Sequence, residues 1–164
     1  MEKTITTAAT NDLLQARKNS ISEFSGIEHR LEIVTEKNGI EYINDSKATD
    51  FTTSWYSLSC MTKPVIWILG ISEMQDDYAV FSEIVKEKVK GIIVFGQGEN
   101  KQIYFLRKLT NNFSEVLTVE EAVQTASSLA VSGDAVLFSP ACSSFEMFEN
   151  YKQRGEYFRK ILLK

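Results

Sequence analysis

The sequence predicts a three-layer α/β domain, with a mostly parallel sheet of about six strands, an antiparallel first strand and helices on both faces. Three observations predict it. Two alternating strands flank Asn38-Gly39, a strong hairpin signal. Beyond the hairpin, short β-branched runs alternate with helical periods, the pattern of repeated β-α units. One of those runs, 65–70, is continuously apolar, as expected of a strand covered on both faces, and 91–96 is the next strand.

Each element follows in order. Residues 11–24 place Leu13, Leu14, Ile21 and Phe24 near one helical face, with Thr10, Asn11 and Asp12 as available caps. The hairpin strands are 31–35 and 40–44. A short helix is expected at 52–61, then the strand 65–70. Residues 78–89 put Phe81, Ile84, Val85 and Val89 on one helical stripe ahead of the strand 91–96. A helix at about 100–109 and a short strand at 115–118 follow. Residues 119–130 align Val119, Ala122, Val123, Ala126, Leu129 and Ala130 on a helical face, and 135–138 is the last strand. A long helix over about 143–163 would turn Phe148, Tyr151, Phe158, Ile161 and Leu162 inward. Residues 1–9 are expected to be a flexible N-terminus and 10–164 a single domain with a Rossmann-like arrangement.

Composition supports a packed soluble domain and excludes several classes. The chain has 164 residues, 43% of them hydrophobic, and its 10 Phe, 6 Tyr and 2 Trp suffice for a sizeable core. Two Pro and 8 Gly rule out collagen-like or linker-like chains. Eighteen Lys and Arg against 22 Asp and Glu give a net charge of −4, not the basic footprint of a nucleic-acid binder. The densest basic stretch, Lys86 to Lys90, is interleaved with Glu87 and Val89 and reads as a solvated helix face. Cys60 and Cys142 lie far apart, which fits a reducing compartment better than a disulfide scaffold. With the lone His29 they are too few for a Cys/His zinc site, and no metal ligand is assigned. The polar, Thr-rich first ten residues lack an apolar signal core, and no apolar run approaches the roughly 18 residues of a membrane span. The expectation is a cytoplasmic protein.

In open α/β sheets ligands lie outside the carboxyl ends of the parallel strands. That rule selects four loops: 45–50, 71–76, 97–100 and 139–144. The first packs Asp45, Lys47 and the hydroxyls of Ser46 and Thr49 ahead of a helix, a set able to hold an anion and a ribose or an ammonium group. It could equally be a capping loop with Lys47 solvated. The last loop, with Ser143 and Ser144 at an expected helix start, could offer free N–H groups to a carboxylate or phosphate, or be a plain N-cap. Cys142 lacks a nearby His to activate it. Gly96-Gln97-Gly98 follows a strand but misses the third glycine of the dinucleotide fingerprint, where Lys101 stands. There is no Gly-x-x-x-x-Gly-Lys-Ser/Thr loop and no Gly-x-Ser-x-Gly elbow in the chain.

Three strings together resemble one family. "EHRLEIV" (28–34), "YINDSKAT" (42–49) and "LFSPACSSFEMFENYKQRGEYFRKIL" (137–162) are similar to the C-terminal domain of the Mur ligases, nearest to the D-glutamate-adding members. Order and spacing fit from about Asp12 to Lys164. The resemblance implies an ATP-driven amide synthesis in bacterial peptidoglycan precursor formation. A carboxylate of the nucleotide substrate becomes an acyl phosphate, which the amine of D-glutamate attacks. In that family a central domain carries the P-loop and the Mg²⁺ ligands, and an N-terminal domain holds the UDP-sugar. ATP and Mg²⁺ would thus be bound mainly outside this chain, which would be incomplete for catalysis alone and would work against those two domains.

Carried over residue by residue, the resemblance places Arg30 and Asp45 near the nucleotide, with Asp45 on the ribose. Lys47 would be the catalytic cation, reaching toward the phosphate and acyl-phosphate region. Thr49, Ser144, Phe145 and Tyr151 match positions that hold D-glutamate. Neither nucleic acid nor membrane is implied as a partner. The chain departs from the pattern at Met74, where the family has a Lys on the D-glutamate carboxylate, at Asp50 for the usual Asn, and at Glu146 for a frequent Asp. Losing one charge-assisted contact typically costs about 1.5–3 kcal/mol, roughly 10–150-fold in affinity. The alternative is therefore a stand-alone, non-catalytic relic or regulatory module of the same fold, binding a nucleotide, a small carboxylate or a protein partner.

Overall fold

The computed structural model describes residues 26–71, 77–101, 103–144 and 147–164. The helix expected at 11–24, the N-terminal residues 1–9, the Met74 loop, Phe145 and Glu146 lie outside them. The chain runs β1 (Glu32–Lys37), β2 (Ile40–Asn44), α1 (Phe51–Cys60), β3 (Val65–Gly70), a 3-10 turn (Tyr78–Phe81), α2 (Ser82–Lys88), β4 (Val89–Phe95), α3 (Ile103–Arg107), β5 (Asn112–Val116), α4 (Val119–Leu129), β6 (Ala135–Phe138) and α5 (Tyr151–Leu163).

The six strands form one sheet in the order β1-β2-β6-β3-β4-β5. Only the β1–β2 pair is antiparallel. Asn38 and Gly39 both have positive φ (54° and 76°), as the tight primed turn between two right-twisted strands requires. The alternation of the central strands sorts the core into two halves. Val65, Trp67, Leu69, Ile92, Val94, Ala135 and Leu137 face α1, the 3-10 turn, α2 and α3. Ile66, Ile68, Ile93, Phe95, Val136 and Phe138 face α4 and α5, where Phe158 stacks on Phe138 at 4.5 Å. This is the expected three-layer architecture, with both faces of the sheet covered.

The larger differences from the sequence reading lie at four elements. The 78–89 helix is a 3-10 turn followed by α2, and Val89 begins β4, paired with Val65. The 100–109 helix keeps only Ile103–Arg107 as regular structure. The strand expected at 115–118 runs over Asn112–Val116; as an edge strand with Asn112 and Glu115 exposed it lacks the apolar run that marks its neighbours. The long helix starts at Tyr151, eight residues late. Asn150 accepts the Gln153 N–H and caps it, while residues 141–144 form a loop with Ala141 at φ 54°. Ser143 and Ser144 therefore do not open α5.

The basic stretch is only partly a solvated face. Lys88 donates to the carbonyls of Ser59 and Met61 at the end of α1, and Lys90 pairs with Asp134 at 2.5 Å. Cys60 and Cys142 are both buried, and neither is in a disulfide. No helix among the described residues is long and apolar enough to cross a membrane.

Candidate functional site

The helices after β2, β3 and β4 pack on one face of the sheet, and those after β5 and β6 on the other. Loops leaving the adjacent strands β3 and β6 therefore part, which opens a crevice at their carboxyl ends. A cleft of about 480 Å³ lies there. Ile71 after β3, Gly96 and Gln97 after β4, Leu117 and Thr118 after β5, and Cys142 to Ser144 after β6 line it, with Met147, Phe148 and Arg154.

The β2–α1 loop lies against the β6–α5 loop. The Ala141 N–H donates to the Ala48 carbonyl at 3.0 Å, and Asp45 N–H donates to the Phe138 carbonyl at 2.8 Å. Lys47 is half-buried; its amide donates to the His29 carbonyl, and its Nζ stands 6.0 Å from the centroid of the Tyr151 ring. The structure thus brings Lys47 and Tyr151 together, although 104 positions separate them in the chain. Ser144 is buried at the cleft wall, and its carbonyl accepts the N–H groups of Met147 and Phe148. Thr49 is exposed on the same loop as Lys47. Asp50, next along, caps α1, with Oδ1 accepting the Thr53 N–H and Oδ2 its hydroxyl.

Asp45 sits inside rather than at a surface. It is fully buried; Oδ1 accepts the Leu31 N–H at 3.3 Å and Oδ2 accepts the Ser139 hydroxyl at 2.6 Å. Burial pushes its carboxyl up to about 6, against the hydrogen bonds from Ser139, Ser57 and the Leu31 amide and the field of Arg30. Contact with a ribose would require one of these oxygens to exchange its internal partner. In this structure the carboxylate pins the start of β1, and with it the adjacent Arg30, to the β2–α1 loop.

His29 secures the same corner. Asn44 Oδ1 accepts the Ser46 N–H, so Asn44 Nδ2 is the group that faces His29 Nδ1 at 2.9 Å and the Gly155 carbonyl at 3.1 Å. Nδ1 is therefore an acceptor and the ring proton is on Nε2. Burial and the nearby Arg159 lower the His29 pKa, against the opposing pull of Glu28, Glu32 and Glu156. Glu28, His29 and Glu156 lie within metal-ligand reach of one another. But Nε2 presents an N–H to those carboxylates, 3.7 Å away, and not a lone pair, and Arg159 bridges Glu28, Glu32 and Glu156. The cluster is a brace of three carboxylates around the Arg159 guanidinium and a neutral imidazole.

Sequence reasoning missed the residue that joins the two loops. Arg154 of α5 is 1% exposed. Its Nε donates to Ser46 Oγ at 3.0 Å, Nη2 to the Ser46 carbonyl at 2.8 Å and Nη1 to the Cys142 carbonyl at 3.0 Å. Ser46 Oγ in turn donates to the Tyr151 carbonyl. The available signal was an arginine on the apolar stripe of a helix, three residues after Tyr151 and four before Phe158. The neighbouring Gly155 is equally dictated: a Cβ there would lie 2.4 Å from His29 Nδ1.

Comparison with known proteins agrees with this architecture. The family model described as "Mur ligase, glutamate ligase domain" matches residues 29–142. The UDP-N-acetylmuramoylalanine–D-glutamate ligase of Bacteroides fragilis is 41% identical over 146 residues, covering 88% of this chain and 33% of that protein. The ligase of the same name from Christiangramia forsetii is 41% identical over 156 residues, covering 93% of this chain and 35% of its own length. The chain thus spans about a third of the curated relatives it matches. Among solved structures, the MurF ligase of Thermotoga maritima in complex with ADP superposes with a TM-score of 0.54 at 17% identity, covering 84% of this chain and 32% of that one, a likeness of fold. A match across most of the chain, on a sheet and loops of this order, shows that the chain belongs to the Mur ligase family, as its glutamate ligase domain.

Proposed function

We propose that the chain is the amino-acid-binding C-terminal domain of an ATP-dependent UDP-N-acetylmuramoyl-L-alanine:D-glutamate ligase. The carrying observation is that relatives of that name match 88–93% of the chain at 41% identity, through the loops that meet at the cleft. In the proposed reaction the γ-phosphoryl group of ATP passes to the substrate carboxylate, giving an acyl phosphate and ADP. The amine of D-glutamate then attacks the acyl carbon, forming the amide and releasing phosphate. ATP and Mg²⁺ supply the phosphoryl transfer and are held mainly by a central domain, since this sequence contains no P-loop string.

The chain's own contribution is positioning. Lys47 sits on a loop fixed at both ends and presents a cation toward the acyl phosphate. Thr49, Ser144, Phe145 and Tyr151 hold D-glutamate, orienting its amine. Arg30 faces the nucleotide, with Asp45 fixing the loop beside it. The test is D-glutamate-dependent ADP release by this chain assembled with an N-terminal and a central ligase domain. Wild-type release, with Lys47→Ala slowed at least tenfold while still folded, supports the reading; an active ligase indifferent to Lys47→Ala, or one without D-glutamate dependence, refutes it. A second reading rests on Met74, which cannot supply a cation to the amino acid. On it the chain is a non-catalytic module that keeps the fold and binds a small carboxylate or nucleotide without turnover.

A further inference from the structure

We propose that Arg154 is a positioning residue: its guanidinium fork clasps the Lys47 loop to the Ser144 loop, so that the two halves of the site close on a ligand as one unit. The inference rests on the proposed placement of the amino acid between these loops, though the clasp itself stands on geometry.

Arg154 comes from α5 and reaches two other segments. Ser46, the residue before Lys47, receives Nε on its hydroxyl and Nη2 on its carbonyl. Cys142, two residues before Ser144, receives Nη1 on its carbonyl and, at 3.6 Å, on its sulfur. These partners are all neutral, so among the described residues the charge is buried without a bonded carboxylate, an arrangement that costs stability unless the hydrogen bonds are complete. A planar fork answers three separate acceptors on two loops at fixed angles. A lysine ammonium, with one nitrogen, cannot span them. Ser46 Oγ passes the restraint on to the Tyr151 carbonyl, which sets the aromatic ring beside Lys47. The clasp therefore touches the neighbours of Lys47, Tyr151 and Ser144 without needing to touch substrate.

The test compares native-state amide exchange in wild type, Arg154→Lys and Ser46→Ala, the last removing one acceptor of the fork and the hydroxyl bond to the Tyr151 carbonyl should the lysine variant fold poorly. The amides to follow are Ala48, Ala141 and Phe148, hydrogen-bonded within or between the two loops, and Lys47, bonded to the His29 carbonyl. Losing charge-assisted bonds should speed their exchange roughly 10–100-fold together, while amides of the β3–β4 ladder stay within about twofold. A uniform rise that includes the ladder, or loop amides unchanged in both variants, overturns the clasp. A D-glutamate titration separates the two claims. If wild type shows protection spreading from the Ser144 loop to the Lys47 loop, and Arg154→Lys confines it to one, the coupling stands. If wild type binds D-glutamate and Arg154→Lys spreads protection equally, the coupling fails. If wild type binds no D-glutamate, the amino-acid assignment fails while the exchange data still decide the clasp.

Discussion

Replacing Asp45 by Asn should make the domain more stable at neutral pH, although it removes a buried group with good hydrogen bonds. Burial raises the carboxyl from an ordinary 3.8 to about 6. A group whose folded pKa is raised holds its proton more tightly when folded. Between those two values the folded state carries more protons, so stability falls as pH rises; above about 6 the full penalty is present. A shift of about two units corresponds to roughly 3 kcal/mol. Asparagine keeps the acceptor for the Leu31 N–H and can donate to Ser139 Oγ, which can redirect its own proton to Ser54 Oγ, 2.8 Å away. Urea unfolding of both proteins at about pH 4 and about pH 7.5 gives the stability difference at each pH. That difference should move in favour of Asp45→Asn by up to roughly 3 kcal/mol from the lower to the higher pH, any rewiring cost cancelling between them. A pH-independent difference, or one that moves against the variant, refutes the buried-carboxyl reasoning.

Other outcomes follow from the same corner of the molecule. His29 is the only histidine, so its ring resonances report one titration; the midpoint should lie below 6.5, with stability falling as the unfolded state takes up the proton on acidification, and a midpoint at or above 6.5 would contradict the Nδ1 acceptor. Gly155→Ala would gain about 1 kcal/mol in an ordinary exposed helix, but overpacking against the His29 ring should give a net loss of about 1–2 kcal/mol in thermal unfolding; a stabilised variant would mean the ring is not lodged there. Asp50→Ala should lose about 1 kcal/mol as a missing helix cap and Asp50→Asn only a few tenths, so an Asn variant as damaged as the Ala one would assign Asp50 a duty beyond capping.

Local chemistry was legible where it determines local structure. The Asn38-Gly39 turn and the apolar strands β3 and β4 were read from adjacent residues. The start of α5 was misread because Phe148 continues the helical apolar period, while Asn150 offers a competing cap. β5 was read late because an edge strand needs no apolar run. The candidate site was legible only as loops and side chains, not as their supports. Loop position and motif resemblance picked out Lys47, Ser144 and Tyr151. The supports, Arg154 on Ser46 and Cys142, Gly155 under His29 and Asn44 between them, depend on contacts across 12 to 126 positions, which no local pattern encodes.

The assignment of an amino-acid subsite to this domain is most directly tested by backbone amide shifts of the chain titrated with D-glutamate and, separately, with L-glutamate. Saturable shifts at Lys47, Thr49, Ser144 and Tyr151 with the D-enantiomer, and weaker ones with the L-enantiomer, are expected. No saturable change at those amides, or identical responses to both enantiomers, would contradict it.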